Sequence, residues 1–561
     1  MHPSRTRRPA TRAAAAFSVL CLAASCAANP GPPPLVEPED RPDAVAEHDS
    51  ADADNADAEH ADEQDANHEP ASGRPQAQVG VDPVRAGFNP HLVGDESAVV
   101  RGIADLVLPS AFQADGTKDP NLLVGASVLP TSPDAFTVRY VISPNAQWSD
   151  GTPITGSDFA YLWRGMTQTA GVVDPAAYRA VSNVRVSGPG GKVVDVDFAQ
   201  PVGDWRVLFR HLLPSHLLAA DAADFAYALR NTVPASAGRY LVRSVDRAHG
   251  TVTLNRNDRF WGPDPAPIDI LTLAAARDTT QVADQLRSGQ LAFVDMVPQD
   301  TTADVLGLIP DVDTRTFPGD RTLGVTLSAT SGLSAQARAE VRSLIDVPLL
   351  AHIAVRRSTN VDASAPTEPG SLALLHALAA DGKVLRVAAD AADPAATAAA
   401  RSLVDLLDNV GVPARIVANE LPAIAARSLP AGEVDIVVHW RNDGDSADAP
   451  ANTLASRIAC PAETGRAGNL AGFCSVAGDE LARAILAGDI PPETAAERVA
   501  AIERREALWV PLLRETRLAA TAGGVRAAGT QPGQWPGGLS SAGAWTLADT
   551  VGRRTKIQEV P

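Results

Sequence analysis

The sequence predicts an α/β protein with at least two lobes, and three observations support this. Apolar patterns with strand-like and helix-like periods alternate along the chain. One stretch, 384–440, has the order strand, helix, strand, strand, which requires a parallel sheet. About 480 residues follow an acidic N-terminal segment, and a chain of that length is too long for a single hydrophobic core.

Residues 1–25 have the pattern of a secretory signal peptide. A segment with four arginines precedes the apolar run Ala13–Ala24, which is too short to cross a bilayer as a helix. Small residues, Ala23–Ser25, then precede Cys26, as they precede the lipidated cysteine of bacterial lipoproteins. We expect Cys26 to be diacylated and to become the new N-terminus. The alternative is ordinary signal cleavage in the Ala-rich run.

Residues 26–77 are predicted to form a disordered, acidic tether. The segment is rich in Pro, Ala, Asp and Glu and has no apolar periodicity, so it cannot bury enough apolar surface to fold. Its like charges favour an extended chain. It carries most of the net charge of -19. The acidity of the whole chain therefore says little about a ligand.

A strand, a tight turn and a helix are predicted in succession in the first half of the chain. Phe136–Ile142 alternates like a strand, and Ser149–Gly151 has turn chemistry. Thr155 can cap the helix that follows, and Asp158 can complete a capping box. One apolar helical face is then formed by Phe159, Leu162, Trp163 and Met166.

The turn region, Trp148-Ser149-Asp150-Gly151-Thr152-Pro153-Ile154-Thr155, resembles the signature of family 5 extracytoplasmic solute-binding proteins. These are the peptide and nickel receptors of ABC importers. Further stretches resemble the family in the same order: Gly238–Val242, Leu254–Asn257 and Phe260–Gly262. The resemblance covers nearly all of 78–561. It implies a two-lobed periplasmic-binding-protein-like fold of class II, with a discontinuous first lobe.

The same resemblance implies the limits of the lobes: lobe I over 78–322, lobe II over 323–513, and a return to lobe I over 514–561. Family receptors close on their ligand by hinge motion in which few residues absorb the change. We expect hinges near Gly319–Gly324 and Val510–Leu513. Many members carry an Asn at this lobe crossing that is missing here, which leaves recognition of a ligand backbone open.

The strand–helix–strand unit falls in the predicted second lobe. Its strands are Val384–Ala388, Ala414–Ala418 and Asp435–Trp440, and its helix begins at Asp393-Pro394, an N-cap followed by proline. Ile436–Val438 is a continuous apolar run, so the third strand is expected to be buried on both faces.

The resemblance places a ligand cleft between the turn at Phe88 and Asn89 and the loop after Trp440. A Trp at the carboxyl end of a buried strand lies where open α/β sheets bind ligands, and its ring suits a pocket wall. The alternative is that Trp440 only packs in the core of the lobe. Asp443 and Asp445 would meet the amino group of a peptide or the hydroxyls of a glycolipid, unless they form only a solvated acidic turn.

Cys460 and Cys474 are the two cysteines beyond the signal region. Because exported proteins meet an oxidising environment, we expect them to form a disulfide. A catalytic thiol is the alternative, and the sequence has no well-placed His to support it.

The motifs of hydrolases, zinc proteases, phosphate loops and redox thiols are missing from the sequence, as is a basic stripe for nucleic acid. No catalytic residue, metal or cofactor is therefore expected. We expect a lipid-anchored receptor on the extracytoplasmic face of the cell membrane. It would capture an oligopeptide-like or cell-wall-derived ligand for an ABC permease.

A second function stays open. Gly87–His91, Ala275–Asp278 and the cysteine pair resemble an actinobacterial lipoprotein subgroup of the family. That subgroup is associated with phosphatidylinositol mannoside and lipoarabinomannan synthesis. The resemblance implies a regulator that binds a glycolipid, works with cell-wall biosynthetic membrane proteins and feeds no importer.

Overall fold

The computed structural model describes residues 74–130, 136–218, 225–442, 450–462, 465–526 and 538–547. Cys26, Asp443 and Asp445 lie outside these residues. The described residues belong to one compact unit that starts at Ser72. Among them, no helix has both the length and the apolar character needed to span a membrane.

Strands and helices alternate along most of the chain, as predicted. The strands are β1 (Gln76–Val81), β2 (Leu123–Val128), β3 (Phe136–Ile142), β4 (Val181–Ser187), β5 (Val193–Phe198), β6 (Tyr240–Asp246), β7 (Thr251–Arg256), β8 (Ile270–Ala275), β9 (Phe293–Met296), β10 (Asp313–Leu327), β11 (Asp362–Ala363), β12 (Leu385–Asp390), β13 (Ala414–Asn419), β14 (Ile436–Asn442), β15 (Trp509–Thr521), β16 (Val525–Arg526) and β17 (Thr546–Leu547). The α-helices are Ala98–Val107, Gly156–Gln168, Ala176–Arg179, Thr279–Arg287, Thr302–Gly307, Ala335–Leu344, Val347–Val355, Ala373–Ala380, Pro394–Asn409, Leu421–Ala423, Ala451–Ile458, Val476–Ala487 and Pro492–Arg505. Shorter helical turns are Pro189–Gly191, Trp205–Val207, Ser215–Leu217, Ile424–Ser428 and Gly538–Ala544.

One 11-stranded sheet runs through the fold, with the order β13-β12-β14-β10-β15-β9-β1-β8-β7-β6 and with β11 paired to β15. β12 is parallel to both β13 and β14, so the predicted parallel unit is confirmed. β1 is likewise parallel to β8 and β9. A separate antiparallel sheet has the order β2-β3-β5-β4.

The two longest strands, β10 and β15, cross the middle of the large sheet as an antiparallel pair. Their register shifts between Pro318 and Thr322 and again between Leu323 and Gly324. The C-terminal part of β10 pairs with β14, and the C-terminal part of β15 pairs with β9. The pair therefore joins the two ends of the sheet. Both irregularities fall where the first hinge is expected.

Two large hydrophobic cores lie on either side of this crossing. The first contains apolar side chains from 77–293, 454–499 and 525–545, and the second contains side chains from 323–438 and 507–513. The α/β, two-lobed prediction is thus confirmed. The predicted lobe limits stay a prediction, and one observation bears on them. The helices Ala451–Ile458, Val476–Ala487 and Pro492–Arg505 contribute to the first core, although they fall within 323–513.

Local sequence signals have the expected structural effect. The helix Gly156–Gln168 begins with a capping box in which Thr155 accepts from the Ser157 amide and Asp158 accepts from the Thr155 amide. The helix Pro394–Asn409 begins at Asp393, whose carboxylate accepts from two backbone amides of the first turn. β1 begins at Gln76, two residues inside the predicted tether.

Candidate functional site

Three cavities lie in a row between the two cores. A cavity of about 820 Å³ and one of about 270 Å³ share Arg321 of β10 and Glu515 of β15. A third, of about 790 Å³, shares with the 270 Å³ cavity the residues Arg85, Ala86, Gly94, Asp95, Asp390 and Ala392. The three cavities therefore form one continuous cleft, and the crossing strands line its parts of about 820 and 270 Å³. We refer to the three as the large, central and outer cavities, respectively.

A buried ion network occupies the crossing strands where the large and central cavities meet. The Arg517 side chain is only 5% exposed, and its guanidinium donates to Asp295 at 2.7 and 2.9 Å and to Asp82 at 2.9 Å. Arg321 donates to Glu515 at 2.5 Å. Burial raises the pKa of Glu515, but Arg321 and Arg517 outweigh it, so its pKa is held below its usual range.

The network extends from the crossing strands to the helix Ala98–Val107 of the first core. Arg101 donates to Asp320 at 2.5 Å, to Asn442 at 3.2 Å and to Glu96. Arg321 also donates to the Glu96 carbonyl at 3.0 Å. These hydrogen bonds tie a helix of the first core to β10 and β14 across the cleft.

Trp440 lies near the carboxyl end of β14 and lines the central cavity. Its ring is half-buried, and the Arg321 guanidinium lies 5.0 Å from the ring centroid. One part of the side chain packs against the second core. Trp440 thus has contacts suited both to a ligand wall and to packing in the lobe core. Its role as a ligand wall stays a prediction.

Phe88 and Asn89 are buried residues of the turn that was expected to border the cleft. Each is 1% exposed, and neither lines any of the three cavities. Phe88 is part of the first core. The Asn89 amide donates to the Phe225 carbonyl at 3.1 Å, and its oxygen accepts from the His91 amide. These two residues shape the loop, while its Gly87 and Asp95 line the outer cavity.

The cleft contains charged residues that sequence reasoning missed: Arg101, Asp295, Arg321, Glu515 and Arg517. One signal was present. Glu515 and Arg517 lie between two apolar runs, Val510–Leu513 and Leu518–Ala520. Buried strands rarely carry charges unless the charges are paired.

Asp105 also lines the large cavity, where it takes part in a second set of polar contacts. It accepts hydrogen bonds from His211 at 2.7 Å and from Ser540 at 2.6 Å. Burial opposes ionisation here, but these contacts lower the pKa of Asp105 to about 2. Within the described ranges, no group of His, Cys, Asp and Glu has the arrangement of a metal site.

Cys460 and Cys474 are joined as a disulfide, with a sulfur–sulfur distance of 2.10 Å. The bridge closes the loop between the helices Ala451–Ile458 and Val476–Ala487. Asn469 supports the same loop by donating to the carbonyls of Ala459 at 3.0 Å and Phe473 at 2.7 Å. Neither cysteine lines any of the three cavities.

Comparison with known sequences gives consistent similarities. Residues 124–358 match the model of "Bacterial extracellular solute-binding proteins, family 5 Middle". The chain is 33% identical over 457 residues to the probable monoacyl phosphatidylinositol tetramannoside-binding protein LpqW of Mycobacterium tuberculosis, covering 69% of this chain and 71% of LpqW. It is 31% identical over 205 residues to the oligopeptide-binding protein OppA of Mycobacterium bovis, covering 35% and 34%.

Solved structures have the same fold at low identity. The oligopeptide-binding protein AppA of Bacillus subtilis, solved with a nonapeptide, matches with a TM-score of 0.63 and 13% identity, covering 85% of this chain and 99% of AppA. NikZ of Campylobacter jejuni, solved with Ni(L-His), matches with a TM-score of 0.59 and 13% identity, covering 84% and 99%.

Proposed function

Because this chain belongs to the bacterial extracellular solute-binding proteins of family 5, we propose that it captures its ligand between its two lobes, in the large and central cavities along β10 and β15. One observation carries the proposal. Arg321 and Glu515 of the crossing strands line both the large and the central cavity, and side chains from both cores complete the walls. A ligand there would contact both lobes and the strands expected to bend between them.

The proposal includes an anchor and a transport partner. The signal-peptide pattern and Cys26 support a lipid-anchored protein on the extracytoplasmic face of the membrane. The similarity to OppA supports an oligopeptide-like ligand and delivery to an ABC permease. Asp443 and Asp445 follow Asn442, which lines the large cavity, and the proposal places them beside the ligand.

A second candidate is a glycolipid-binding regulator that feeds no importer. The similarity to LpqW favours it, because that similarity covers 69% of the chain and the similarity to OppA covers 35%. Carboxylates and guanidinium groups also line the cleft, and such groups form hydrogen bonds with sugar hydroxyls. In this reading the partners are cell-wall biosynthetic membrane proteins.

Native mass spectrometry and small-angle scattering test the proposal together. Protein purified without denaturation is examined for a retained peptide or glycolipid, which also decides between the two candidates. The radius of gyration is then measured with and without that molecule. We expect compaction at saturation, because closure brings the lobes together. An unchanged radius at saturation would contradict capture by closure.

A further inference from the structure

Arg357 is a buried cation that faces the central cavity. The residue follows the helix Val347–Val355, is 4% exposed, and lines the cavity of about 270 Å³. Its Nε and Nη2 atoms are buried without a hydrogen-bond partner. Among the described residues, no carboxylate lies within ion-pair distance of it.

This arrangement is costly in the absence of an anion. Removing a guanidinium from water without a compensating partner is unfavourable, so buried arginines are normally paired. Asp300 is the acidic group that affects Arg357 electrostatically. Its carboxylate already accepts from the amides and hydroxyls of Ser358 and Thr359 at 2.8 to 3.3 Å.

The carboxylates that line the central cavity also already have ion-pair or hydrogen-bond partners. Asp82 and Glu515 pair with Arg517 and Arg321. Glu96 accepts a hydrogen bond from Arg101. The remaining carboxylates accept from backbone amides; they are Asp95, Asp390 and Asp393. Turning one of them towards Arg357 would break a contact that it already makes.

We propose that Arg357 binds an oxyanion of the ligand, either a carboxylate or a phosphate group. The inference rests on the proposed function, since it assigns a charge to the molecule held in the cleft. A guanidinium matches both oxyanions because it donates two parallel N–H bonds. Arg321, whose Nε also lacks a partner, lines the same cavity and supplies a second donor. Trp440 and Leu513 give the cavity its apolar side.

Isothermal titration with defined probes tests the assignment. The anionic probes are glycerophosphoinositol, a phosphodiester, and trialanine, a carboxylate; their neutral counterparts are myo-inositol and trialaninamide. We expect at least one anionic probe to bind more tightly than its counterpart, and which one binds distinguishes the two sources of the oxyanion. R357Q should weaken that binding by about tenfold or more, and R357K should retain part of it.

The matched control is R401Q. Arg401 is an exposed arginine of the helix Pro394–Asn409 and lines none of the three cavities, so the charge change is identical but lies outside the cleft. R401Q should bind within about threefold of the wild type, because an exposed charge is screened by solvent. Equal weakening by R401Q and R357Q would overturn the assignment, as would unchanged binding by R357Q. Wild-type protein that prefers neither anionic probe at millimolar concentration would also overturn it.

Stability gives a second readout. R357M removes an unpaired buried charge, so the melting temperature without probe should stay the same or rise. A large fall would indicate a purely structural arginine.

Scattering separates this inference from the proposed function. If R357Q still binds the retained molecule and compacts fully, the inference fails and capture by closure stands. If the anionic probe binds through Arg357 and the retained molecule causes no compaction, the inference stands and capture by closure fails.

Discussion

Arginine–carboxylate pairs line the cleft, and they cross between parts of the chain that are distant in sequence. Arg517 reaches Asp82 and Asp295, and Arg101 reaches Asp320. The buried pairs of Arg517 contribute little net stability, because desolvation offsets most of the attraction. Removing one partner of such a buried pair costs about 3–5 kcal/mol, because it leaves a buried charge. Their main effect is to hold the crossing strands and the first helix in one arrangement.

Trp440→Ala separates the two roles of this tryptophan. If the ring is a ligand wall, the change should weaken binding of the retained molecule by roughly tenfold or more and lower the free energy of unfolding by less than about 3 kcal/mol. Titration and urea denaturation measure the two quantities. Trp163→Ala is the control, because Trp163 is also half-buried and packs against the first core. Normal binding by a stably folded Trp440→Ala protein would remove Trp440 from the site.

His91 predicts a dependence of stability on pH. Burial lowers the pKa of His91 from 6.5 to about 3. Between these values the unfolded chain takes up a proton that the folded chain does not, so stability is lost as the pH falls. His91→Gln retains a donor for the His211 carbonyl and removes the titration. Between about pH 7 and about pH 4.5, wild type should lose roughly 2–3 kcal/mol more than the variant. Equal losses in urea denaturation would contradict this.

Single site residues were only partly predictable from the sequence. Trp440 could be placed at a strand end because the apolar run before it is local. Phe88 and Asn89 were expected in the cleft, but Asn89 is held by the Phe225 carbonyl, 136 positions away. Arg321 and Glu515 are separated by 194 positions. No local pattern encodes such pairings, because they depend on how distant strands meet.

At the scale of elements, predictions based on local physical signals are confirmed. The capping box at Thr155 starts a helix, and alternation in Phe136–Ile142 gives a strand with the same limits. The length of β10 was not predicted. The region Gly319–Gly324 was expected to be a hinge, and β10 contains Pro318 and Gly319, which usually interrupt a strand. The strand continues through them because β15 pairs with both flanks.

The disulfide is expected to stabilise the loop between its two helices. Cys460 and Cys474 are 14 positions apart, and closing such a loop contributes about 3 kcal/mol in the chain-entropy description. The Cys460→Ser, Cys474→Ser double variant should therefore unfold at lower urea concentration, and reduced wild type should behave like it. Peptide mass mapping of exported protein under non-reducing conditions checks the bond itself. Two free thiols would contradict the prediction.

Gly324 is expected to be required for close packing of the crossing strands. A Cβ at this position would lie 2.4 Å from a Trp509 ring carbon and 2.7 Å from the Val510 carbonyl oxygen. Gly324→Ala should therefore cost about 1–3 kcal/mol, because a neighbour must shift. Gly125→Ala in β2 is the control, since a Cβ there meets nothing within 4 Å. Urea denaturation of both variants measures the difference, and equal stabilities would contradict the packing argument.

At the scale of the whole molecule, the N-terminal pattern predicts membrane attachment. Cys26 follows small residues and precedes an acidic segment suited to act as a spacer. Cys26→Ser should move the protein from the membrane fraction to the soluble fraction, because the acylated residue is lost. Cell fractionation followed by immunoblotting measures this, and the Cys460→Ser, Cys474→Ser variant serves as a control for cysteine loss. Membrane association that survives Cys26→Ser would contradict lipidation.

The position of β15 has a consequence for how the protein reaches its folded state. β15 lies between β10 and β9, in the centre of the large sheet, although it begins only at Trp509. Until that segment is available, the β14 side and the β1 side of the sheet lack the strand that joins them. A chain that leaves the cell interior with its N-terminus first must therefore wait for a late segment before the sheet can close. Pairing of such distant strands is slow, and the waiting chain exposes unpaired strand edges. Extracytoplasmic chaperones and proteases would meet this protein mainly during that interval.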